Sequence, residues 1–272
     1  MNDEGVNWTR WQRFFTARRD RQLPTLFDPT DYTGVPDSVA QSLAIFQLGE
    51  SGGGTIIEQA RNSTMDGIDD KYVAALELFV NEEHRHAELL AICVRNLGGS
   101  LISKNWTASL FVFARRLIGL RLKVLVLLVA EVVGLCYYQL LASRLPPGRL
   151  RSLLAQIVTD EHSHLRFHCC FLQTQTRTWW RRLLFVGVWR ITMTAAAIVV
   201  YLDHRATMRD LGLSPRIVWR HWLSFSRLAE NLVVTRRTPA AADLVIREAS
   251  CQPASAEQTK NTVLAYAEEL PS

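Results

Sequence analysis

Two Glu-x-x-His motifs constrain this chain more than any other feature of its sequence. Each motif follows a solitary glutamate at a similar distance along the chain. The residues are Glu50, Glu83 and His86 in the first unit, and Glu131, Glu161 and His164 in the second. The sequence therefore repeats one pattern, in which a helix with one candidate ligand glutamate is followed by a turn and by a helix with Glu-x-x-His.

The spacing within each motif suits a metal ligand pair. Residues three apart in an α-helix lie about 60° apart around the axis and about 4.5 Å apart along it, so both side chains can reach one ion. If the two units pack as a four-helix bundle, four carboxylates and two imidazoles surround one centre. That number and type of ligands is sufficient to hold two metal ions. Carboxylate oxygens with one imidazole per ion favour iron or manganese, and Fe/Fe and Fe/Mn both stay open.

The position of Glu131 supports this interpretation. It is the only acidic residue between positions 109 and 143, in a stretch that is otherwise apolar and basic. A carboxylate buried there without a partner would cost several kcal/mol. A bound cation is the simplest compensation.

Three further polar residues accompany the motifs. An acid directly precedes each motif glutamate, and we expect both Glu82 and Asp160 to accept a hydrogen bond from the far nitrogen of a ligating histidine. His168 lies one turn after His164 on the same helix face. Its role as an outer group, as an extra ligand or as packing stays open.

Helical periodicity and cap signals predict an all-α fold, because no sustained strand pattern occurs. The predicted helices are 37–62, 69–97, 109–143, 146–176, 179–210 and 214–235. We expect Pro146 and Pro147 to lie in the first turn of the fourth helix. The connection at 98–108 can span about 36 Å when extended, so the second and third helices are expected to run parallel.

Composition divides the chain into four expected parts. An Arg- and Trp-rich arm covers 1–35, the bundle with the dinuclear site covers 36–176, two accessory helices cover 177–240, and a polar tail covers 241–272. In the arm, Trp8, Trp11 and Phe15 fall on one helical face. We expect this short helix to dock on the bundle, with a lipid or partner contact as the alternative.

Two apolar runs approach the length that crosses a membrane. The run at 124–140 contains Glu131 and is interpreted as a buried bundle helix. The run at 183–202 contains only one charge, Arg190. We favour a buried helix there as well, with a membrane-facing helix as the alternative.

Charge and cysteine content exclude several classes of protein. The chain has 31 Lys+Arg and 26 Asp+Glu, scattered without a basic stripe, so no nucleic-acid partner is expected. Its five cysteines include no Cys-x-x-Cys, which favours reduced thiols over disulfides. The first 20 residues lack an apolar segment, so a cytoplasmic location is expected, with a peripheral membrane location left open.

The motif pair resembles the ferritin-like dinuclear metal-carboxylate (diiron) superfamily over about residues 38–175. The resemblance implies a ferritin-like four-helix bundle, here with two additional C-terminal helices, whose diiron or iron–manganese centre reacts with dioxygen or peroxide. The absence of Cys-x-x-Cys separates this chain from rubrerythrin-type peroxidases. Leu90 stands where the ribonucleotide reductase subunit usually has a radical tyrosine. These departures favour a member that oxidises a substrate.

The expected function is therefore that of an oxidoreductase that activates O2 to hydroxylate, desaturate or cleave an apolar organic substrate. A ferroxidase or iron-binding protein without an organic substrate is the alternative. The sequence contains no second redox module, so electrons are expected from a separate reductase or ferredoxin. A homodimer, common in the family that the chain resembles, is left open.

Overall fold

The computed structural model describes residues 6–21, 32–52, 55–105 and 119–235. Within these ranges every regular element is a helix, which confirms the all-α class. The helices are α1 (Trp8–Thr16), α2 (Asp37–Glu50), α3 (Thr55–Arg61), α4 (Asp70–Asn96), α5 (Leu120–Arg144), α6 (Arg149–Gln175), α7 (Trp179–Asp203), α8 (Arg205–Asp210) and α9 (Pro215–Thr235).

The ends of α4 follow the signals in the sequence. The side chain of Asp69 accepts a hydrogen bond from the backbone N–H of Tyr72, as an N-cap residue should. Leu97 is the C-cap, and Gly98 follows with a φ of 73°, a conformation that glycine adopts without steric penalty. The prediction for this helix is confirmed to within one residue.

The predicted helix 37–62 is wrong as a single element. It begins as expected at Asp37, but α2 ends at Glu50, and α3 begins only at Thr55. Gly52 lies outside both helices. Glycine costs about 1 kcal/mol in a helix interior relative to alanine, and three in succession make a break more stable than a continuous helix.

Three other predicted helix boundaries also differ from the structure. The predicted start at 109 lies outside the described residues, but Gly119, expected inside the helix, is the extended N-cap of α5. Pro146 and Pro147 lie before α6 rather than in its first turn, since Gly148 is the residue at its N-cap. The predicted helix 179–210 is divided into α7 and α8 at His204.

The contacts of Gln175 show how three long helices run relative to one another. At the end of α6, its side-chain oxygen accepts hydrogen bonds from Arg121 at the start of α5, and its amide donates to the carbonyl of Asp66, just before α4. The starts of α4 and α5 therefore lie at the same end, and both helices run opposite to α6. The expected parallel arrangement of these two helices is confirmed.

The helix α1 docks on α4 and α6 through its aromatic side chains. Trp8 contacts Tyr72 and Phe167 edge-on, with ring centroids 4.9 and 5.8 Å apart. Phe15 is fully buried, and its ring centroid lies 6.0 Å from that of His164. Burial of one such ring contributes about 1.5–3 kcal/mol. The predicted docked helix is confirmed, and it brings the arm to the edge of the two motifs.

Two helices are long and apolar enough to cross a membrane, judged by length and composition alone. In α5, 83% of the apolar window is buried inside the protein, which confirms a core helix around Glu131. In α7 only 22% of the window is buried. The expectation that 183–202 is a buried helix is therefore wrong, because only one side of α7 packs against the rest of the chain.

The division into four parts stays a prediction, and the tail at 241–272 lies outside the described residues. The accessory helices α8 and α9 follow α7, and Thr207 of α8 donates a hydrogen bond to the carbonyl of Ser38 at the start of α2. The C-terminal helices thus contact the same bundle that carries the motifs.

A buried histidine lies at the junction of α7 and α8. The Nδ1 atom of His204 is 2.5 Å from the hydroxyl oxygen of Ser42, and Phe46 packs on the imidazole ring. Burial lowers the pKa of His204 to about 4, although the negative charge of Asp203 acts in the opposite direction. In the folded protein this ring is therefore neutral at pH values where an exposed histidine is charged.

Folding stability should decrease as the pH falls from about 6.5 towards 4, because the unfolded chain then binds a proton at this histidine that the folded chain does not. The contribution of His204 between pH 7 and 5 is about 2 kcal/mol. Urea unfolding at both pH values should show a smaller loss for His204→Asn than for the parent chain. Equal losses in the two proteins would contradict a neutral, buried His204.

Candidate metal centre

Four side chains from the two motifs meet between α4 and α6. One ligand-type atom from each of Glu83, His86, Glu161 and His164 lies within 4.8 Å of the others. The Nδ1 atom of His86 is 3.2 Å from Oε1 of Glu161, and Nδ1 of His164 is 2.8 Å from Oε1 of Glu83. Each histidine thus faces the glutamate of the opposite motif. This group could hold a metal ion.

The atoms that face the centre are close together but do not meet in hydrogen-bond geometry. Despite the short distances between them, no hydrogen bond satisfies the buried atoms Oε1 of Glu83, Nδ1 of His86, Oε1 of Glu161 and Nδ1 of His164. Each such atom costs about 1–3 kcal/mol when it is left unsatisfied. A cation would satisfy these carboxylate oxygens and imidazole nitrogens together, so the residues fit a metal ion.

The two solitary glutamates lie at the edge of this group. Glu131 of α5 is 3% exposed, and its Oε2 atom is 3.7 Å from Nδ1 of His164. Glu50, the last residue of α2, interacts with Glu83 and accepts a hydrogen bond of 2.9 Å from the phenol of Tyr138. The structure thus brings all six sequence-predicted residues together, and their use as metal ligands stays a prediction.

Crowding of carboxylates changes their acidity. Burial, together with the charges of Glu83 and Glu161, raises the pKa of Glu50 well above its ordinary value. Burial, together with the charges of Glu131 and Glu161, raises the pKa of Glu83 to about 7. Carboxylates so close together cannot all be ionised at neutral pH unless positive charge lies between them.

The far nitrogens of both histidines face acids that precede the opposite motif. Nε2 of His164 is 2.9 Å from Oε2 of Glu82, and Nε2 of His86 is 3.3 Å from Oδ2 of Asp160. Both contacts cross from one helix to the other. An Nε2–H that donates to a carboxylate leaves the lone pair on Nδ1, which points to the centre. The positions expected for Glu82 and Asp160 are those found.

The N-terminal arm adds a layer of arginines outside these two acids. The buried guanidinium of Arg18 pairs with Asp160 and lies 3.3 Å from Oε1 of Glu82, so it bridges α4 and α6. Arg21 donates to Asp160 at 3.0 Å, and Arg85 donates to Glu82 at 2.9 Å. Arg85 also binds the backbone carbonyl of Arg18 at 2.6 Å, which holds the arm in place.

This layer keeps the acid beside His164 ionised. Burial alone would raise the pKa of Glu82, but the hydrogen bond from His164 and the charge of Arg18 outweigh burial and lower this pKa to about 2. Burial lowers the pKa of Arg18 to about 10, which still leaves the guanidinium charged at neutral pH. A hydrogen-bond acceptor for His164 is therefore present throughout the physiological range.

His168 is fully buried one turn after His164 on α6. Its Nε2 atom is 3.4 Å from Oε1 of Glu131, and neither ring nitrogen has a hydrogen-bond partner. Burial, with the charge of His164, lowers the pKa of His168 to about 3. The ring packs edge-on against Phe79, with centroids 4.7 Å apart. It is thus a neutral imidazole beside the carboxylate of Glu131.

Sequence reasoning missed Arg18, Tyr138 and Gly134 as parts of the site. Two acids predicted beside buried histidines require counter-charges, and the arginines of the arm were the available signal for Arg18. Tyr138 and Gly134 lie on the turns that follow Glu131 along α5. A Cβ added to Gly134 would lie 3.3 Å from the ring of Tyr138 and 3.9 Å from the carboxyl carbon of Glu161, so glycine leaves room for both side chains.

No family model, curated protein or solved structure matches this chain. Function is therefore inferred from the residues of the centre, that is, from their chemistry and from their repeated arrangement on two helices.

Removal of one central glutamate should abolish metal binding. Protein loaded anaerobically with Fe(II) should hold about two ions per chain. In Glu83→Ala and in Glu161→Ala the content should fall at least fivefold, since both variants lose an oxygen at the centre. Plasma mass spectrometry of desalted protein measures this content. The control is His84→Ala, an exposed histidine next to Glu83, and an equal loss in that variant would contradict the assignment.

Arg18 should position the centre without touching it. In Arg18→Gln the charges of Glu82 and Asp160 lose their shared partner, so we expect a free energy of unfolding lower by about 3 kcal/mol. The affinity for Mn(II) should fall about tenfold, because the carboxylates that accept hydrogen bonds from both histidines lose the guanidinium that holds them in place. Arg19→Gln is the control, since the Arg19 side chain is 59% exposed. Unchanged Mn(II) affinity in a folded Arg18→Gln protein would show that Arg18 has only a structural role.

Proposed function

We propose that this protein is a dinuclear non-haem iron, or iron–manganese, oxidoreductase that activates O2 to oxidise an apolar organic substrate by hydroxylation, desaturation or cleavage. The observation that carries the proposal is the buried group of Glu83, His86, Glu161 and His164, whose inward atoms have no hydrogen-bond partners. Oxygen ligands with one imidazole for each ion suit iron and manganese better than zinc or copper.

The order and directions of the helices support a ferritin-like bundle. Each half of the bundle pairs one helix carrying a single glutamate with one carrying Glu-x-x-His, namely α2 with α4 and α5 with α6. The parallel directions of α4 and α5 require a long connection between the two halves, as in bundles of this type. Together with the six residues, this topology favours the ferritin-like superfamily.

In the proposed centre, Glu50, Glu83, His86, Glu131, Glu161 and His164 would hold two metal ions. Two irons bound there would supply the reduction of O2, with electrons from an external reductase or ferredoxin. Asp160 and Glu82 fix the imidazole tautomers by accepting hydrogen bonds from Nε2. Tyr138 orients the carboxylate of Glu50 by donating to its Oε1 atom.

The arm shields one side of the centre from water. Phe15 is fully buried beside His164, and Arg18 is 3% exposed between the two outer acids. Exclusion of water strengthens the electrostatic interactions inside a site and protects reactive species from side reactions. The arm is thus proposed to be part of the oxidation site.

A ferroxidase or iron-binding protein is the second candidate. Two surface grooves, with volumes of about 520 and 480 Å³, are lined by none of the six residues that would bind metal. The larger of these grooves contains Gln47, Ser51 and His84, and lies beside α2 and α4. Oxidation of iron itself requires no substrate cavity at the ligands, so the position of these two grooves among the described residues suits this second candidate.

A large excess of Fe(II) under O2 separates the two candidates. An oxidase should retain about two ions per chain and then stop consuming O2 until a reductant is added, because its irons stay bound. A ferroxidase should oxidise the whole excess and release or store ferric product. An O2 electrode with parallel ferrozine assays measures both quantities. The proposed function fails if the parent chain, like Glu83→Ala, consumes no O2 above the protein-free background, or if the parent chain oxidises the whole excess of Fe(II).

A further inference from the structure

The outward side of α7 is a continuous apolar stripe. Five of its large side chains are at least 49% exposed: Trp180 49%, Leu184 61%, Ile191 72%, Ile198 52% and Leu202 50%. At 100° per residue these five positions fall within about 40° of one another around the helix axis, over a length of about 33 Å. Soluble surfaces rarely expose a straight apolar line of this length.

The opposite side of α7 is fixed to the protein. Trp189 is fully buried and donates through Nε1 to the carbonyl of Ser226 in α9. Trp222 of α9 donates in the same way to the carbonyl of Met193. With one side held by α9, the helix can present only its other side to an apolar phase, so it would lie along a membrane rather than cross it.

The one charged residue in 183–202 lies beside the stripe and is paired. Arg190 is about 100° around the helix axis from Ile191, and its guanidinium, 67% exposed, forms two hydrogen bonds to Glu230 of α9, at 2.9 and 2.7 Å. The five side chains that form the stripe are themselves uncharged.

Positive charge is concentrated in the part of the chain that carries the stripe. Residues 176–235 contain nine arginines and three acidic residues, whereas the rest of the chain has 22 basic and 23 acidic residues. Arg177 precedes α7, and Arg216 and Arg220 lie on α9; all three are exposed. The whole net positive charge of the protein therefore belongs to the part that carries the apolar stripe.

Exposed tryptophans complete the pattern. Trp179 is 73% exposed at the start of α7, and Trp219 on α9 is 41% exposed. Tryptophan prefers the boundary between headgroups and acyl chains, because its ring is apolar and its N–H can meet water. An apolar stripe with tryptophans and arginines beside it is the composition of a helix that lies in the plane of an anionic membrane surface.

We propose that α7, with the exposed arginines of α9, docks this protein on anionic lipid bilayers, with α7 parallel to the surface and its apolar stripe among the acyl chains. The charge of this region argues against a second copy of the chain as the occupant, because two such surfaces would bring their arginines together. The proposal does not depend on the metal centre or on its reaction.

Vesicle flotation tests the proposal with the full-length protein. The vesicles contain equal parts of phosphatidylcholine and phosphatidylglycerol, or phosphatidylcholine alone, and metal content is measured on the same preparations. We expect the protein to float with the mixed vesicles and to be released by high salt. The double variant Ile191→Glu, Ile198→Glu should reduce the bound fraction at least fivefold. Leu101→Glu, at a leucine that is 37% exposed outside the stripe, should bind as the parent chain does.

Two controls keep the result interpretable. Circular dichroism and thermal melting show whether the glutamate variant is folded, and a second variant, Trp180→Gln, Leu184→Gln, tests the other end of the stripe without added charge. The proposal is overturned if the parent chain does not bind mixed vesicles at low salt. It is equally overturned if both variants are folded and bind vesicles as the parent chain does. A third contradicting result is a parent chain that binds no vesicles and forms a dimer, with both variants monomeric. Vesicle binding, whether or not the preparation contains metal, says nothing about the proposed oxidation reaction, which the Fe(II) experiment tests separately.

Discussion

Mutual repulsion among buried carboxylates is the constraint on which the rest of this structure depends. Glu50, Glu83, Glu131 and Glu161 meet inside an apolar bundle, where each ionised group loses hydration and faces like charges. Hydrogen bonds from Tyr138 relieve part of this cost, but the inward atoms of the motifs stay unsatisfied. A chain that keeps such a group in its core needs a positive charge at its centre, and divalent metal ions supply that charge compactly.

The charges around this centre alternate in sign from the inside outward. Histidines face the carboxylates, Glu82 and Asp160 face the histidines, and Arg18 bridges these two acids. Each layer stabilises the ionisation state of the layer inside it, as the low pKa of Glu82 illustrates. Arg18, the cation that bridges the two acids, comes from the arm rather than from the bundle. The charge balance of the centre therefore depends on the docking of α1. The aromatic contacts of Phe15 and Trp8 hold that cation in position.

Sequence patterns predicted the parts of this molecule that depend on short-range rules. Spacing at i, i+3 identified the two motifs, and a cap residue and a glycine identified both ends of α4. The break after Glu50 was not predicted, because the glycines at 52–54 only lower helix propensity, and whether a helix breaks there depends on packing that a single sequence does not reveal. Arg18 lies more than 60 residues from Glu82 along the chain, so their pairing is a property of the fold. The exposure of α7 was missed because hydropathy reports how apolar a helix is, and not which of its sides another helix covers.

The contrast between α5 and α7 shows how differently one composition can be used. Both are 25-residue helices whose apolar 18-residue windows have nearly equal mean hydropathy, 2.1 and 2.0, and each contains one charged residue within its apolar run. In α5 that residue is Glu131, which points into the centre, and neighbouring helices cover the apolar surface. In α7 it is Arg190, which is neutralised by Glu230 at the edge of an open apolar stripe. Removal of water from apolar surface is stabilising. The bundle removes water from the apolar surface of α5, whereas the exposed side of α7 gains the same stabilisation only by contact with a second apolar phase.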